Sequence, residues 1–293
     1  MSPSDLDRSA EPSGERLVLD ASDPELRNEH LARYCFAEPL ARGRRVLDVG
    51  CGEGYGAARF VGESAAVYGL DNSERAISHA RANCPGAVLV RGDCVTLPFA
   101  DASLDLVTAF EVIEHLNGWE DLISEAARVL DTSGVFVVST PNRDYYQTTR
   151  DEPNPFHVHE FAYEEFHAAL MAAFPHCTVF LENHVGAVSI SPPSAGKTAA
   201  HVEAREADPA SAHFFVAVCS TSPLNDLQGL AFVPSDGNLL RERELHIAKL
   251  REWVAALESR HEQVERRMSR ELARWPYRVL RRLRLAPRLP RKW

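Results

Sequence analysis

No apolar run in the 293-residue sequence approaches the roughly 18–20 residues that a helical membrane span requires. An integral helical membrane protein is therefore excluded. The start, Met1-Ser2-Pro3-Ser4-Asp5, has neither a basic stretch nor an apolar core, so no signal peptide is expected and the chain reads as cytoplasmic. The six cysteines (Cys35, Cys51, Cys84, Cys94, Cys177, Cys219) include no C-x-x-C pair and no close Cys/His spacing suited to zinc. They are expected as reduced thiols in the core or lining a site. Acidic residues are absent beyond Glu271, although Arg274, Arg278, Arg281, Arg282, Arg284, Arg288, Arg291 and Lys292 follow.

What remains is an ordinary globular composition, 45% apolar and 25% charged, which excludes global disorder and collagen-like repeats. The net charge of −10 is unevenly spread. Residues 238–293 hold 16 Arg and Lys against 7 Glu, while the rest holds 16 basic and 35 acidic residues. An acidic body carries a basic tail.

Residues 1–15 cannot form a packed core and read as a disordered arm. Asp23 can cap a helix that has Pro24 at its first position and runs to about Leu40. Apolar runs at Arg45–Val49, Ala66–Leu70, Ala87–Arg91, Leu104–Phe110 and Gly134–Ser139 predict buried strands. Helical spacing lies between them, at Gly54–Val61, Ser73–Asn83 and Trp119–Leu130. Such alternation argues for an α/β domain over 16–221, a mostly parallel sheet with helices on both faces. Thr140–Phe161 is long for a loop and marks a functional lid. A helix near Tyr163–Ala173 and strands near Thr178–Glu182 and His213–Ser220 complete the domain; a polar insertion, Ser191–Ala210, is expected to be mobile. A linker over 222–238 leads to an amphipathic helix over 239–274 and a basic, aromatic tail over 275–293.

Asp48-Val49-Gly50-Cys51-Gly52-Glu53-Gly54 turns a strand into a helix through glycines, which permit a tight turn and close approach of backbone N–H groups to a ligand. Asp71 ends the next strand, about 20 residues on, where a carboxylate can accept both hydroxyls of a ribose. Asp93 follows the third strand and can accept from an exocyclic adenine amine. In open α/β sheets ligands bind at these carboxyl-terminal strand ends.

VLDVGCGEG (46–54), GLDNS (69–73), GDCVTLPFADASLDLV (92–107), FEVIEHL (110–116) and RVLDTSGVFVVSTPN (128–142) together resemble the class I S-adenosylmethionine-dependent methyltransferases. The resemblance covers about 20–220 and implies a Rossmann-like seven-stranded fold with S-adenosylmethionine as cofactor. It also implies backbone contacts from Gly50, Cys51 and Gly52 to the methionine moiety, Asp71 on the ribose, Asn72 beside the adenine, and Asp93 with Cys94 at its edge. Asp48 would order the glycine turn or receive the cofactor ammonium. Glu29–Ala37 resembles the EHxxRYxFA helix of methyltransferases associated with bacterial surface glycans, which implies that His30, Arg33 and Tyr34 cover the cofactor. Read from the residues alone, that helix packs an apolar face (Leu31, Tyr34, Cys35) on the sheet.

Methyl transfer to a hydroxyl requires in-line alignment and removal of a proton. Glu111 and His115 follow the fourth strand, and His115 is a candidate base. Asn154–Phe161 adds His157 and His159 and resembles the NPxHxxEF loop over the acceptor pocket of glycan-type methyltransferases. Either histidine can equally serve to hydrogen-bond the loop. Glu111, Glu114 and His115 with His157 or His159 would also suit a divalent ion, and resemble the metal site of small-RNA 3′-end 2′-O-methyltransferases. Because EVIEH-like strings also occur in metal-independent relatives, the sequence does not favour a metal.

Leu240 to Glu271 fits a heptad, with Leu240, Ile247, Val254, His261 and Met268 at a and Arg243, Leu250, Leu257, Val264 and Glu271 at d. A coiled-coil homodimer and a single helix folded onto its own domain both satisfy that pattern. The arginine–aromatic tail suits peripheral contact with an anionic membrane at the inner face, with a partner protein or RNA as competing targets. The leading expectation is O-methylation of a sugar or glycan-linked acceptor, with O-methylation of another small molecule as an alternative. Ribose methylation of RNA and a non-catalytic cofactor-binding scaffold are its rivals, and the acidity of the body makes nucleic acid the weaker partner.

Overall fold

The computed structural model describes residues 24–150, 152–185, 207–224, 226–234, 239–273 and 275–283. The arm over 1–15, most of the insertion over 191–210 and the last ten residues of the tail lie outside them. The chain divides into two units, Met1–Pro234 and Ser235–Trp293.

The first unit begins with α1 (Pro24–Ala41) and alternates strand and helix: β1 (Arg45–Val49), α2 (Tyr55–Phe60), β2 (Ala66–Asp71), α3 (Glu74–Asn83), β3 (Val88–Arg91) and β4 (Leu104–Phe110). Then follow α4 (Trp119–Val129), β5 (Leu130–Pro141), α5 (Arg143–Thr149), α6 (Tyr163–Met171), β6 (His176–Glu182) and β7 (Phe214–Ser220). One seven-stranded sheet results, in the order β3-β2-β1-β4-β5-β7-β6. All neighbours pair in parallel except β7, which runs antiparallel to both β5 and β6.

Period-two burial explains why both faces are covered. In β5, Val135 and Val137 join the core with Tyr34, Ala37, Ala57 and Phe60 of α1 and α2. Phe136 and Val138, between and after them, join Leu122, Ile123 and Ala126 of α4 and Phe166 and Leu170 of α6. Each such side chain contributes about 1.5–3 kcal/mol by leaving water. A strand buried on both faces needs continuous apolar residues, as in β1, β4 and β5; the run at Ala87–Arg91, expected as a buried strand, forms β3 at the sheet edge, where Val88 is 58% exposed.

Two elements differ from the sequence reading. The segment expected as a loop over Thr140–Phe161 contains α5, and β5 starts at Leu130 rather than Gly134. The ends of that segment are tied together by a bridge between Asn142 and Phe161, both fully buried. In the second unit α7 (Leu239–Ala273) leaves Ile247, Leu250, Val254, Leu257, Val264 and Met268 exposed, and α8 (Trp275–Arg282) follows. No helix among the described residues is long and apolar enough to cross a membrane.

Candidate active site

Parallel register brings the strand ends to one edge of the sheet: Val49 lies opposite Leu70 and Ala109, Asp71 opposite Arg91, and Phe110 opposite Ser139. The glycine turn, Asp71, Asp93 and Glu111 therefore emerge side by side. In that turn Gly50, Gly52 and Gly54 all have positive φ, at 68°, 53° and 80°. The conformation is open to glycine and costs other residues about 1–2 kcal/mol. A Cβ at Gly50 would lie 2.4 Å from Val112, and one at Gly54 2.9 Å from Ala80. A Cβ at Gly52 would meet nothing within 4 Å, so open space lies over this part of the turn, whose amide is held by Asp71.

Asp71 is buried at the tip of β2 and accepts from the Gly52 amide at 3.0 Å and the Ser73 amide at 2.8 Å. Asn72 and Asp93 are exposed beside it, and Asp93 accepts from the Val95 amide at 3.1 Å. Cys94 is half-buried, and burial pushes its thiol up to about 11. Cys51 is buried, its thiol held far up by burial, and its amide donates to Leu70 O at 3.0 Å. Both sulfurs stay protonated and act by shape.

Asp48 is completely enclosed. Thr108 donates to it at 2.7 Å and Tyr34 at 3.1 Å, and burial pushes its carboxyl up to about 7 against the pull of both hydroxyls. This geometry gives it the ordering role, fastening α1 and β4 to β1. A Cβ at Gly56 would overlap the Tyr34 ring, so this ring of α1 packs directly on the α2 backbone.

The rest of the α1 motif makes long-range contacts. Arg33, 1% exposed, donates to Glu182 at 2.7 Å, lies 3.7 Å from Glu111, and sits 4.3 Å over the Phe214 ring. Burial pushes Glu182 up to about 7 despite Arg33. His30 meets the Tyr55 hydroxyl at 2.8 Å, and burial with the Arg33 charge drives it down to about 3, so it is neutral. Sequence reasoning missed Glu182 and Ser139. Glu182 lies 149 residues from Arg33, and no local pattern joins them.

Glu111 has a φ of 53°, a strain of about 1–3 kcal/mol for a non-glycine residue. Its amide donates to the Ser139 hydroxyl at 3.0 Å, and that hydroxyl donates back to its carboxylate at 2.7 Å. The strained turn sends the chain into a short 3₁₀ helix, Ile113–His115. Its Glu114 carbonyl accepts from the amides of Val158 at 2.8 Å and His159 at 3.0 Å, which pins the 154–161 segment over the turn.

The three histidines are thereby separated in role. His115 Nδ1 lies 3.0 Å from the Phe156 carbonyl, and a carbonyl only accepts, so Nδ1 carries the hydrogen and Nε2 the lone pair. His157, 5.1 Å away between ring centroids, pairs through Nδ1 with Glu160 at 2.7 Å and through Nε2 with Asn154 at 2.8 Å; burial lowers its pKa. His159 points elsewhere, to Glu165 at 2.7 Å and against Trp119 and Phe161. Glu114 is fully buried, and burial followed by the Glu111 charge raises its carboxyl well above the usual range.

Residues 47–138 match the family described as “Methyltransferase domain”. This stretch, from β1 into β5, is similar to that family. A probable S-adenosylmethionine-dependent methyltransferase of Mycolicibacterium smegmatis is 48% identical over 119 residues, 40% of this chain and 46% of that protein. A probable S-adenosylmethionine-dependent methyltransferase of Mycobacterium tuberculosis is 39% identical over 164 residues, 55% of this chain and 60% of that protein. The chain thus spans about half the length of these relatives. A solved structure of a Pyrococcus horikoshii protein superposes over 68% of this chain and 92% of its own, with a TM-score of 0.50 and 18% identity, a likeness of fold. The first unit has the Rossmann-like architecture, and the relatives it resembles are named for S-adenosylmethionine. The open space over Gly52 and the carboxylate of Asp71 beside it fit that cofactor.

Proposed function

We propose that the chain transfers the methyl group of S-adenosylmethionine to a hydroxyl oxygen of a sugar or glycan-linked acceptor. The observation that carries this reading is His115. The Phe156 carbonyl fixes its tautomer, so that an Nε2 lone pair stands at the strand edge that also bears the glycine turn and Asp71. Phe156, 40% exposed on the segment pinned over the turn, offers an aromatic face beside it. Resemblance of 154–161 to the acceptor loop of glycan-type methyltransferases supports the acceptor class.

Gly50 and Gly52 offer backbone to the methionine end of the cofactor, while Asp71 holds its ribose. Bound there, S-adenosylmethionine supplies a sulfonium-borne methyl group, whose S–C bond breaks as the O–C bond to the acceptor forms. His115 Nε2 accepts the hydroxyl proton as that bond forms, and its Nδ1–H steadies the ring on Phe156. Glu160 and Asn154 hold His157 beside it. Glu111, committed to Ser139 and near Arg33, shapes the turn and does not handle the proton.

Labelled-methyl transfer to glycolipid, RNA and small-molecule fractions of a host lysate tests the reading. Incorporation into the glycan-bearing fraction is expected, with a loss of about 10²–10⁴-fold in His115→Ala. Incorporation into RNA alone, or an active His115→Ala chain, contradicts it.

A further inference from the structure

We infer that Glu114, His115 and His157 form a binding site for one divalent first-row transition ion. A ligand-type atom from each of these residues lies within 4.8 Å of the other two. What distinguishes the cluster is Glu114. It is 0% exposed and neither carboxylate oxygen has a partner at hydrogen-bond geometry; the Thr140 hydroxyl, its polar neighbour, relieves that burial only weakly. Buried carboxylates are otherwise paired, hydrogen-bonded or bound to metal. Glu111, the nearest carboxylate in sequence, is committed to Ser139 and takes no part.

Both imidazoles are oriented as metal ligands are. A ligating histidine characteristically donates its second ring N–H to a carbonyl or carboxylate. His115 does so to Phe156 O at 3.0 Å and His157 to Glu160 Oε1 at 2.7 Å, which leaves Nε2 of each ring as the ligating atom. At His157 the ion replaces the Asn154 amide, now 2.8 Å from Nε2. The amides of Val158 and His159, bonded to the Glu114 carbonyl, already hold the segment bearing His157 over the turn that bears the other two ligands.

One carboxylate and two imidazoles suit zinc, manganese, iron(II) or cobalt better than magnesium or calcium, which take mainly oxygen ligands. Three protein ligands leave at least one coordination position for a further oxygen. An acceptor hydroxyl in that position would be acidified by the ion and would lose its proton to solvent as the methyl passes to its oxygen from the sulfonium, which leaves as the thioether. An ion so held would occupy His115 Nε2, so the proton-accepting role of His115 belongs to the ion-free chain. The catalytic role of the ion rests on the hydroxyl-acceptor reading, whereas the binding site rests on the geometry alone.

The full chain, stripped with chelator, is titrated with Co²⁺ followed by visible absorption and with Zn²⁺ by calorimetry. One equivalent should bind, with affinity reduced at least about tenfold in Glu114→Gln and His157→Gln and unchanged in His176→Gln. The absence of saturable uptake overturns the site, as does equal affinity in His157→Gln, whose segment is at the surface and decides the matter if Glu114→Gln does not fold. S-adenosylmethionine binding measured in chelator tests the methyltransferase reading separately. Methyl transfer undiminished by chelator overturns the catalytic role of the ion.

Discussion

Asp48 and Glu182 are buried carboxyls whose folded-state pKa is raised to about 7, from ordinary values of 3.8 and 4.5. A raised acid contributes stability that is fully present below its unfolded pKa and lost as the pH climbs through the folded value. For these two groups the window runs from about 4 to 7. Neutral, buried His30 pulls in the opposite sense, so the informative quantity is a difference. Relative to the native chain, Asp48→Asn should gain stability between pH 5 and pH 8, read as urea midpoints. A difference that is flat or falls with pH contradicts the assignment. Asp48 itself was visible in the sequence as the residue before a glycine turn. Its partners Tyr34 and Thr108 were not, because they come from another helix and another strand. The unpartnered state of Glu114 was equally hidden, since an E-x-x-E-H string is the same whether its second carboxylate is solvated or enclosed.

The elements follow local rules closely where those rules are strong. Strands Arg45–Val49 and Leu104–Phe110 end where their apolar runs end, and α3 begins at the Ser73 cap, whose hydroxyl accepts from the Ala76 amide at 3.4 Å. The helix α5 escaped notice because Arg143–Thr149 buries none of its residues and so carries no apolar stripe. Its start is set by tertiary contact: the buried Asn142 side chain donates to Ala212 O at 2.7 Å and accepts from the Asp144 amide at 3.1 Å. The glycine turn makes two separable predictions. Gly56→Ala drives a methyl into the Tyr34 ring and should destabilise by about 1–3 kcal/mol through overpacking. Gly52→Ala meets nothing within 4 Å and should cost only the strain of its φ, while weakening cofactor binding more than Gly56→Ala does. Denaturation midpoints and titration calorimetry on both variants check this, and the opposite ranking in either measurement contradicts it.

At the scale of the whole molecule, the −10 average combines two units of opposite character: a net-acidic α/β unit and a net-basic helical unit. The α/β unit was legible because its cofactor-side motifs are local and fall at successive strand ends. The other side of the candidate site was less legible because α1, the 111–115 turn and the 154–161 segment meet only on folding. The partner of the second unit lies beyond local pattern altogether, since the exposed apolar residues of α7 depend on what covers them. The central claim is that the glycine turn and Asp71 hold S-adenosylmethionine. Titration calorimetry of the full chain should give saturable binding of one equivalent, weakened about tenfold or more in Asp71→Ala, the loss of a charge-assisted bond of about 1.5–3 kcal/mol. No binding by the native chain, or unchanged affinity in Asp71→Ala, would contradict the account.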